Sequence, residues 1–362
     1  MMIGNEPRMQ GNNKIMKSVS KISSPNSWKN PLKHWQEALT NPYYYHLVMV
    51  RHHLHNALNI FFEENKMIFL DLPLTTRCIS SPMGLGSDST PVAVSINGKK
   101  TYLADSMQFL LEFGCRVCKS NTAYKMISFR GENSDNTHLS EFQHAECEIL
   151  GALPEIISIG SNMVHFITKH LADVCFEHIE LLCGETGHIK RLLSMNGRYP
   201  ILNMESAMEC LTRAGMPYLI SMHESGLFSL PSRAGEAYLS EKYADNGPLW
   251  LTHFPYISVP FYQAYNCKNK ETAENADLIL GGRETIGAGQ RHLCSLEVTQ
   301  ALKEHSIDPT PYDWYIRMKD LCKMQTSGLG LGVERYLMWL LNQDDIRNCT
   351  LLYRDNRIQG IP

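Results

Sequence analysis

The sequence has little of what marks several broad protein classes. Its 362 residues carry 34 Lys and Arg against 37 Asp and Glu, a formal net charge of −3. Chains that grip nucleic acid regardless of sequence are usually clearly basic, so the balance lends that class no support. It leaves room for one local basic face. No apolar run reaches the roughly 18 residues that read as a membrane-spanning helix. The opening MMIGNEPRMQGNNKIMK has no apolar core of signal-peptide length. The eleven cysteines are odd in number and irregularly spaced, so they do not read as a secreted disulfide framework. Cys115 and Cys118 form a single CxxC without a second pair, short of a zinc site. There is no internal repeat. A cytoplasmic protein with no membrane partner is the expectation.

What is present is an ordinary globular composition, 43% hydrophobic and 20% charged. Residues 1–40 are rich in Asn, Ser, Lys and Pro and read as a flexible N-terminal arm. Lys14, Lys17, Lys21, Lys29 and Lys33 are spread along it. From Tyr43 to Glu64, Leu47, Val50, Leu54, Leu58 and Phe61 recur at helical spacing. Ile68–Leu70 reads as a short strand stopping at Pro73. VAVSINGKKTYLA is a hairpin with an Asn97-Gly98 turn. A helix over 106–113, a strand at MISFRGE and a returning strand at EFQHAECEIL follow. Residues 155–215 are mostly helical, with a break at GETGH. Strands are then expected at PYISVPFYQAYN, ADLILGG and GAGQRHLCS, then strand, Gly turn and helix over 326–341, and a last strand at CTLLYRD. Grouped strands with interspersed helices predict an α+β fold with a largely antiparallel sheet.

Three stretches carry candidate chemistry. TSGLGLGVERYLMWLL alternates Gly328, Gly330 and Gly332 with leucines, then brings Glu334 and Arg335 to a helix start. It has no GxxxxGK[ST] pattern and no βαβ unit around it, so it is neither a P-loop nor a dinucleotide fingerprint. Glycine in a strand marks close approach by a ligand or by another backbone, and both readings stand at equal weight. FRGENSDNTHLSEFQHAECE places Arg130, Glu132, His138, Glu141, Phe142, Glu146 and Glu148 on two strands and their loop. An arginine, an aromatic plate and acids on one sheet surface suit a nucleotide; a solvated charged hairpin is the alternative. ADLILGGRETIGAGQRH brackets a turn with Asp277 and Glu284, natural Mg²⁺ ligands beside a phosphate chain, and continues to Arg291. An ordinary charged hairpin is again the alternative.

Taken in order, these segments resemble the catalytic core of class II aminoacyl-tRNA synthetases, in particular the aspartyl/asparaginyl branch. FRGE…HLSEF…ExE is similar to that family's second motif and GLGLGVER to its third. RHHLHNALNIFFEENKMIFLDLP is similar to the first. YLADSMQFLLE resembles the branch's SxQ segment. FPYISVPFYQ and DLILGGRETIGAGQR resemble its aromatic strand and its substrate hairpin. The similarity spans residues 41–362, which implies one catalytic domain after the arm: an antiparallel sheet flanked by helices.

The resemblance implies an ATP-dependent, AMP-forming ligase. Arg130 would hold the α-phosphate and Phe142 would stack on adenine. Glu132 would lie near the adenine amino group and His138 would reach the outer phosphates. Arg335 would clamp the nucleotide from the other side, with Gly330 and Gly332 letting it lie against the strand. Asp277 and Glu284 would hold Mg²⁺. Ser106, Gln108 and Glu236 would grip the α-ammonium end of an amino acid, and Arg291 would face an aspartate or asparagine side chain. The long first helix and its strand imply a homodimer.

Two departures bear on the acceptor. Thr137 stands where the family's second motif has an arginine before the histidine, and Val259 where asparaginyl enzymes often have lysine. About 40 residues, without barrel character, precede the core where the branch carries an anticodon-binding domain. The expectation is therefore adenylation of aspartate or a related amino acid, then amide formation with ammonia or another amine, as in synthetase-like asparagine synthetases. Transfer to tRNA as an asparaginyl or aspartyl enzyme paralogue, and a non-catalytic amino-acid sensor, are the alternatives.

Overall fold

The long helix α1 (Pro42–Glu64) starts where its sequence dictates. The Asn41 side chain accepts from Tyr43 N, and Pro42 occupies the first turn, where its missing N–H costs no helical bond. Its buried stripe is Tyr43, Leu47, Val50, Leu54, Leu58 and Phe61. In this computed structural model the described residues are 20–80, 85 and 89–355. No helix among them is long and apolar enough to cross a membrane.

Behind α1 stands an eight-stranded sheet. In chain order its strands are β1 (Ile68–Phe69), β2 (Thr122–Phe129), β3 (Glu141–Leu150), β4 (Ile201–Asn203), β5 (Leu249–Thr252), β6 (Asn275–Leu280), β7 (Arg283–Gln290) and β8 (Thr326–Gly332). In space they run β1-β2-β3-β8-β7-β6-β5-β4. Only the two outermost pairings, β1 with β2 and β4 with β5, are parallel. Helix α2 (Gln108–Cys118) packs through Leu111 with Tyr124 and Met126 of β2. Helix α3 (Leu153–Val174) lies on the opposite face, with α1 and with α5 (Val333–Leu340), which follows β8 directly. Helix α4 (Asp313–Leu321) stands near α2.

Strand alternation divides the central strands between two environments. Ala145, Cys147 and Ile149 of β3, Leu278 of β6, Ile286 and Ala288 of β7 and Leu329 and Leu331 of β8 enter the main hydrophobic core. Their neighbours of opposite parity face a cavity: His144 and Glu146, Asn275 and Asp277, Gly287 and Gly289, and Gly328, Gly330 and Gly332. The Leu-Gly alternation of β8 thus has a direct cause. Leucines fill the core on one side, and glycines leave a floor on the other.

The Asn97-Gly98 hairpin forms as expected, joining Val92–Ile96 to Lys99–Leu103, with φ of 50° and 73° at the two turn residues. Three expectations need correcting. PYISVPFYQAYN is not a strand. It forms a 3-10 turn at Tyr256–Ser258 and isolated bridges such as Gln263 with Arg291, while the strand is LWLT just upstream. Pro255 and Pro260 supply no N–H to a ladder. CTLLYRD is not a strand either; Arg354 forms an isolated bridge with Glu141.

The proposed arm is packed over residues 20–40. The Trp28 ring lies under Arg347, 3.6 Å from centroid to Cζ, and its indole N–H donates to Asn348. Ser27 and His34 are buried against Tyr44, and Ile22 N donates to Leu181 O. Aromatic anchors outweigh the polar composition there. Residues 1–19, with Lys14 and Lys17, lie outside the described residues.

Candidate active site

The polar face of the sheet floors a cavity of 420 Å³. Every residue given a role in binding nucleotide, metal or amino acid lines it: Ser106, Gln108, Arg130, Glu132, His138, Phe142, Glu236, Asp277, Glu284, Arg291, Gly330, Gly332 and Arg335; Glu141 and Glu148 of the same hairpin do not. The register of β8 against β3 sets three successive levels along the floor, pairing Gly328 with Glu148, Gly330 with Glu146 and Gly332 with His144.

At the first level the Arg291 guanidinium donates to both oxygens of Glu148, with Nη2 to Oε2 at 2.9 Å, and to Gln108 Oε1. Gln108 is fixed in turn by donating to Leu329 O at 3.0 Å. The Tyr262 ring covers the guanidinium at 5.1 Å. Arg291 is 3% and Glu148 0% exposed, so the pair is fully desolvated. Burial disfavours the charged guanidinium, and Glu148 outweighs it, holding Arg291 protonated. A Cβ at position 328 would collide with Glu148, Gln108 and Arg291 together, so this network requires glycine there.

At the second level Glu146 accepts from Ser106 Oγ at 2.6 Å and from Met107 N at 3.0 Å. Burial pushes its carboxyl up, but these bonds and His144 more than offset it, and the group is held below the usual range. At the third level His144 Nδ1 meets Ser128 Oγ at 2.8 Å and lies 3.4 Å from Glu146 Oε1. Its ring stands edge-on to Phe142 at 4.8 Å.

Beyond lies a cationic end. The Arg130 guanidinium sits 5.4 Å from the Phe142 ring centroid, and its buried Nε has no hydrogen-bond partner among the described residues. An orphaned buried donor is costly unless a ligand supplies the acceptor. Glu132 accepts from Thr90 N. Arg335 donates through Nη2 to His138 Nε2 at 3.1 Å and through Nη1 to Glu284 O at 3.1 Å. Because arginine can only donate, His138 Nε2 is the acceptor and its Nδ1 carries the proton toward Asp135, 3.0 Å away. Thr137 serves the same turn, donating its hydroxyl to Asp135 at 2.8 Å.

Across the cavity Asp277 and Glu284 converge over Gly287. A Cβ there would lie 3.2 Å from Glu284 Oε1 and 3.8 Å from Asp277 Oδ1. Burial and the neighbouring charges of Glu284 and Glu236 push the Asp277 carboxyl well up. Glu236 is raised to about 7, by burial first and then by Glu284. Such crowding of acids, opposed by Arg335 and at Glu236 also by Arg233, leaves Asp277 and Glu284 as the pair that would hold a divalent cation. Glu236 was expected beside Ser106 and Gln108. It lines the same cavity as they do, with Glu284, Arg233 and Arg335 as its charged neighbours.

Other lining residues escaped the reading of the sequence. Gln263 folds over Gly289 with a buried Oε1 that has no hydrogen-bond partner among the described residues. Asp105 is buried and accepts from Ser80 N and Oγ. Their segments stood out in the sequence, but nothing marked these individual positions. Glu334 anchors the start of α5 by accepting from Arg51 at 2.9 Å and from Gln143 N at 2.9 Å.

Comparison with known proteins matches residues 31–356 to the family described as tRNA synthetases class II (D, K and N). An asparagine–tRNA ligase of Thermoplasma acidophilum is 26% identical over 83% of this chain and 67% of its own length. One of Desulforamulus reducens is 26% identical over 85% of this chain and 70% of its own. Among solved structures, the asparaginyl-tRNA synthetase of Pyrococcus horikoshii complexed with asparaginyl-adenylate aligns with a TM-score of 0.81 at 21% identity. It covers 91% of this chain and 73% of that one. At that identity the likeness speaks for the fold.

Proposed function

The chain belongs to the class II tRNA synthetase family, a family of ATP-dependent ligases, and from that premise we propose that it activates asparagine as its adenylate and transfers it to tRNA. The observation that carries the amino-acid choice is the Arg291–Glu148 pair. The guanidinium at the first level is already neutralised, Glu146 lies next to it along the floor, and no lysine lines the cavity among the described residues. An aspartate side chain would bring a third carboxylate to a single cation. An amide offers its carbonyl to Arg291 and its N–H groups to a carboxylate, so both pocket charges find a partner. This moves the expectation from aspartate to asparagine.

Roles at the other end follow the chemistry of the donors. The unpartnered Arg130 Nε supports α-phosphate binding, and Phe142 offers a face for adenine. Arg335, held by His138 and Glu284, would meet the outer phosphates. In the reaction an asparagine carboxylate oxygen attacks the α-phosphorus, and the bond to pyrophosphate breaks. Arg130 would stabilise the charge that develops on the phosphoryl oxygens. Asp277 and Glu284 are the residues fitted to hold Mg²⁺, which would neutralise the leaving pyrophosphate. No protein nucleophile is needed, so positioning and electrostatics suffice.

For the acceptor, the relatives are named for charging tRNA, and that is the support for tRNA over ammonia. Aminoacylation of unfractionated tRNA with radiolabelled asparagine tests it. Charging with asparagine is expected. Absence of charging together with ammonia-dependent conversion of aspartate to asparagine would restore amide formation.

A homodimer through α1 and β1 is part of the same proposal. Ile68 and Phe69 of β1 are 41% and 48% exposed, apolar surface of the kind a second copy would cover. Light scattering at working concentration should give twice the chain mass; a monomer would contradict it.

A further inference from the structure

His144 has no task in the binding of ATP or of the amino acid described above, yet it stands between the two. Along the floor it lies at the third level, flanked on its own strand by Phe142 and by Glu146. Its Nδ1 faces Ser128 Oγ at 2.8 Å and the Glu146 carboxylate at 3.4 Å. A carboxylate can only accept, so this pairing favours the proton on Nδ1 and leaves Nε2 as the acceptor. Nε2 has no hydrogen-bond partner among the described residues, and the side chain, 13% exposed, lines the cavity. A carboxylate holding one edge of an imidazole while the other edge is free is the arrangement of an oriented general base.

We propose that His144 is the general base of the second half-reaction, resting on the adenylation reading given above. The acceptor's hydroxyl oxygen attacks the carbonyl carbon of the adenylate and its proton passes to His144 Nε2. The bond between that carbon and the phosphate oxygen breaks, and AMP leaves with the electron pair. The imidazolium then returns its proton to water. Glu146 and Ser128 are positioning residues in this step. They fix the tautomer, and Glu146 stabilises the transient positive ring.

The test separates the two half-reactions. Enzyme-bound asparaginyl adenylate is formed, and its decay is followed in single turnovers with tRNA, with water alone and with hydroxylamine. Water and a ribose hydroxyl must give up a proton as they attack. Hydroxylamine attacks as a neutral amine and sheds its proton only after the bond has formed. In His144→Gln, which keeps a donor for Ser128 but takes up no proton, decay through tRNA and water should fall by about 100-fold or more relative to any loss in adenylate formation. Decay through hydroxylamine should fall no further than adenylate formation does. His144→Asn, with its amide nearer Nδ1, should behave alike. Equal losses in all steps would assign His144 a structural role, and unchanged decay through water and tRNA would remove it from the chemistry; either overturns the proposal. Failure to form adenylate in the unmodified protein would instead overturn the adenylation reading, and with it this one. Adenylate that decays through water but not through tRNA would overturn only the choice of acceptor.

Discussion

At the scale of residues, three glycines spaced two apart do different work. Gly328 makes room for a protein network, because its missing Cβ is occupied by Glu148, Gln108 and Arg291. At Gly332 the atoms nearest to a Cβ would be those of the Arg335 side chain, at 3.7 Å, an ordinary contact that needs no displacement. Gly328→Ala should therefore destabilise the fold, on the order of 1–3 kcal/mol for overpacking. It should also raise KM for the amino acid at least roughly tenfold. Gly332→Ala should leave the melting temperature nearly unchanged and act chiefly on KM for ATP. Thermal melts with steady-state kinetics on both variants check this; equal effects would contradict the assignment. The presence of a close approach was legible from GLGLG. Which glycine makes room for protein was not, because that depends on Glu148 of a strand and Gln108 of a helix, 143 and 183 residues from Arg291, meeting at its guanidinium.

At the scale of elements, alternation and helical spacing located the sheet strands and α1 because each has one apolar face. The segment after LWLT failed for a stated reason: its aromatics suggest a strand, but two prolines interrupt the ladder, and the chain turns over the cavity instead. The join between α2 and α4 was wholly illegible. Glu112 of α2 forms an ion pair with Arg116 at 2.9 Å and accepts from Tyr315 OH at 2.6 Å and from Lys319 of α4. Lys319 also donates to His292 O at 2.8 Å, next to Arg291. Single residues far apart in sequence carry no mutual signal, and a buried lysine is the exception among lysines. Glu112→Ala leaves two buried cations without their carboxylate, a cost on the order of 3–5 kcal/mol. Urea denaturation should show it. Because α2 bears Gln108 and the Lys319 contact abuts Arg291, KM for asparagine should rise more than KM for ATP.

At the scale of the whole molecule, the cysteines report on the fold. Burial pushes the Cys115 and Cys175 thiols up to about 12 and Cys183 up to about 11, so at pH 8 almost none of each is thiolate. Raising the pH to 9 increases the thiolate of an ordinary cysteine roughly threefold but leaves these three essentially protonated. Cys267 is exposed. An alkylating reagent should modify Cys267 promptly at pH 8, and the three buried thiols only as the protein unfolds. Mass mapping over time reads this, and early labelling of Cys115 would contradict the packing of α2 on β2.

The proposed function puts a site for an amide-bearing amino acid beside an ATP site on one sheet surface. Pyrophosphate exchange into ATP, with asparagine and aspartate compared at equal concentration, tests it most directly. Exchange with asparagine, preferred over aspartate by roughly 100-fold or more in kcat/KM, is the predicted result. Exchange with aspartate equal to or above that with asparagine, or none with either, would contradict it.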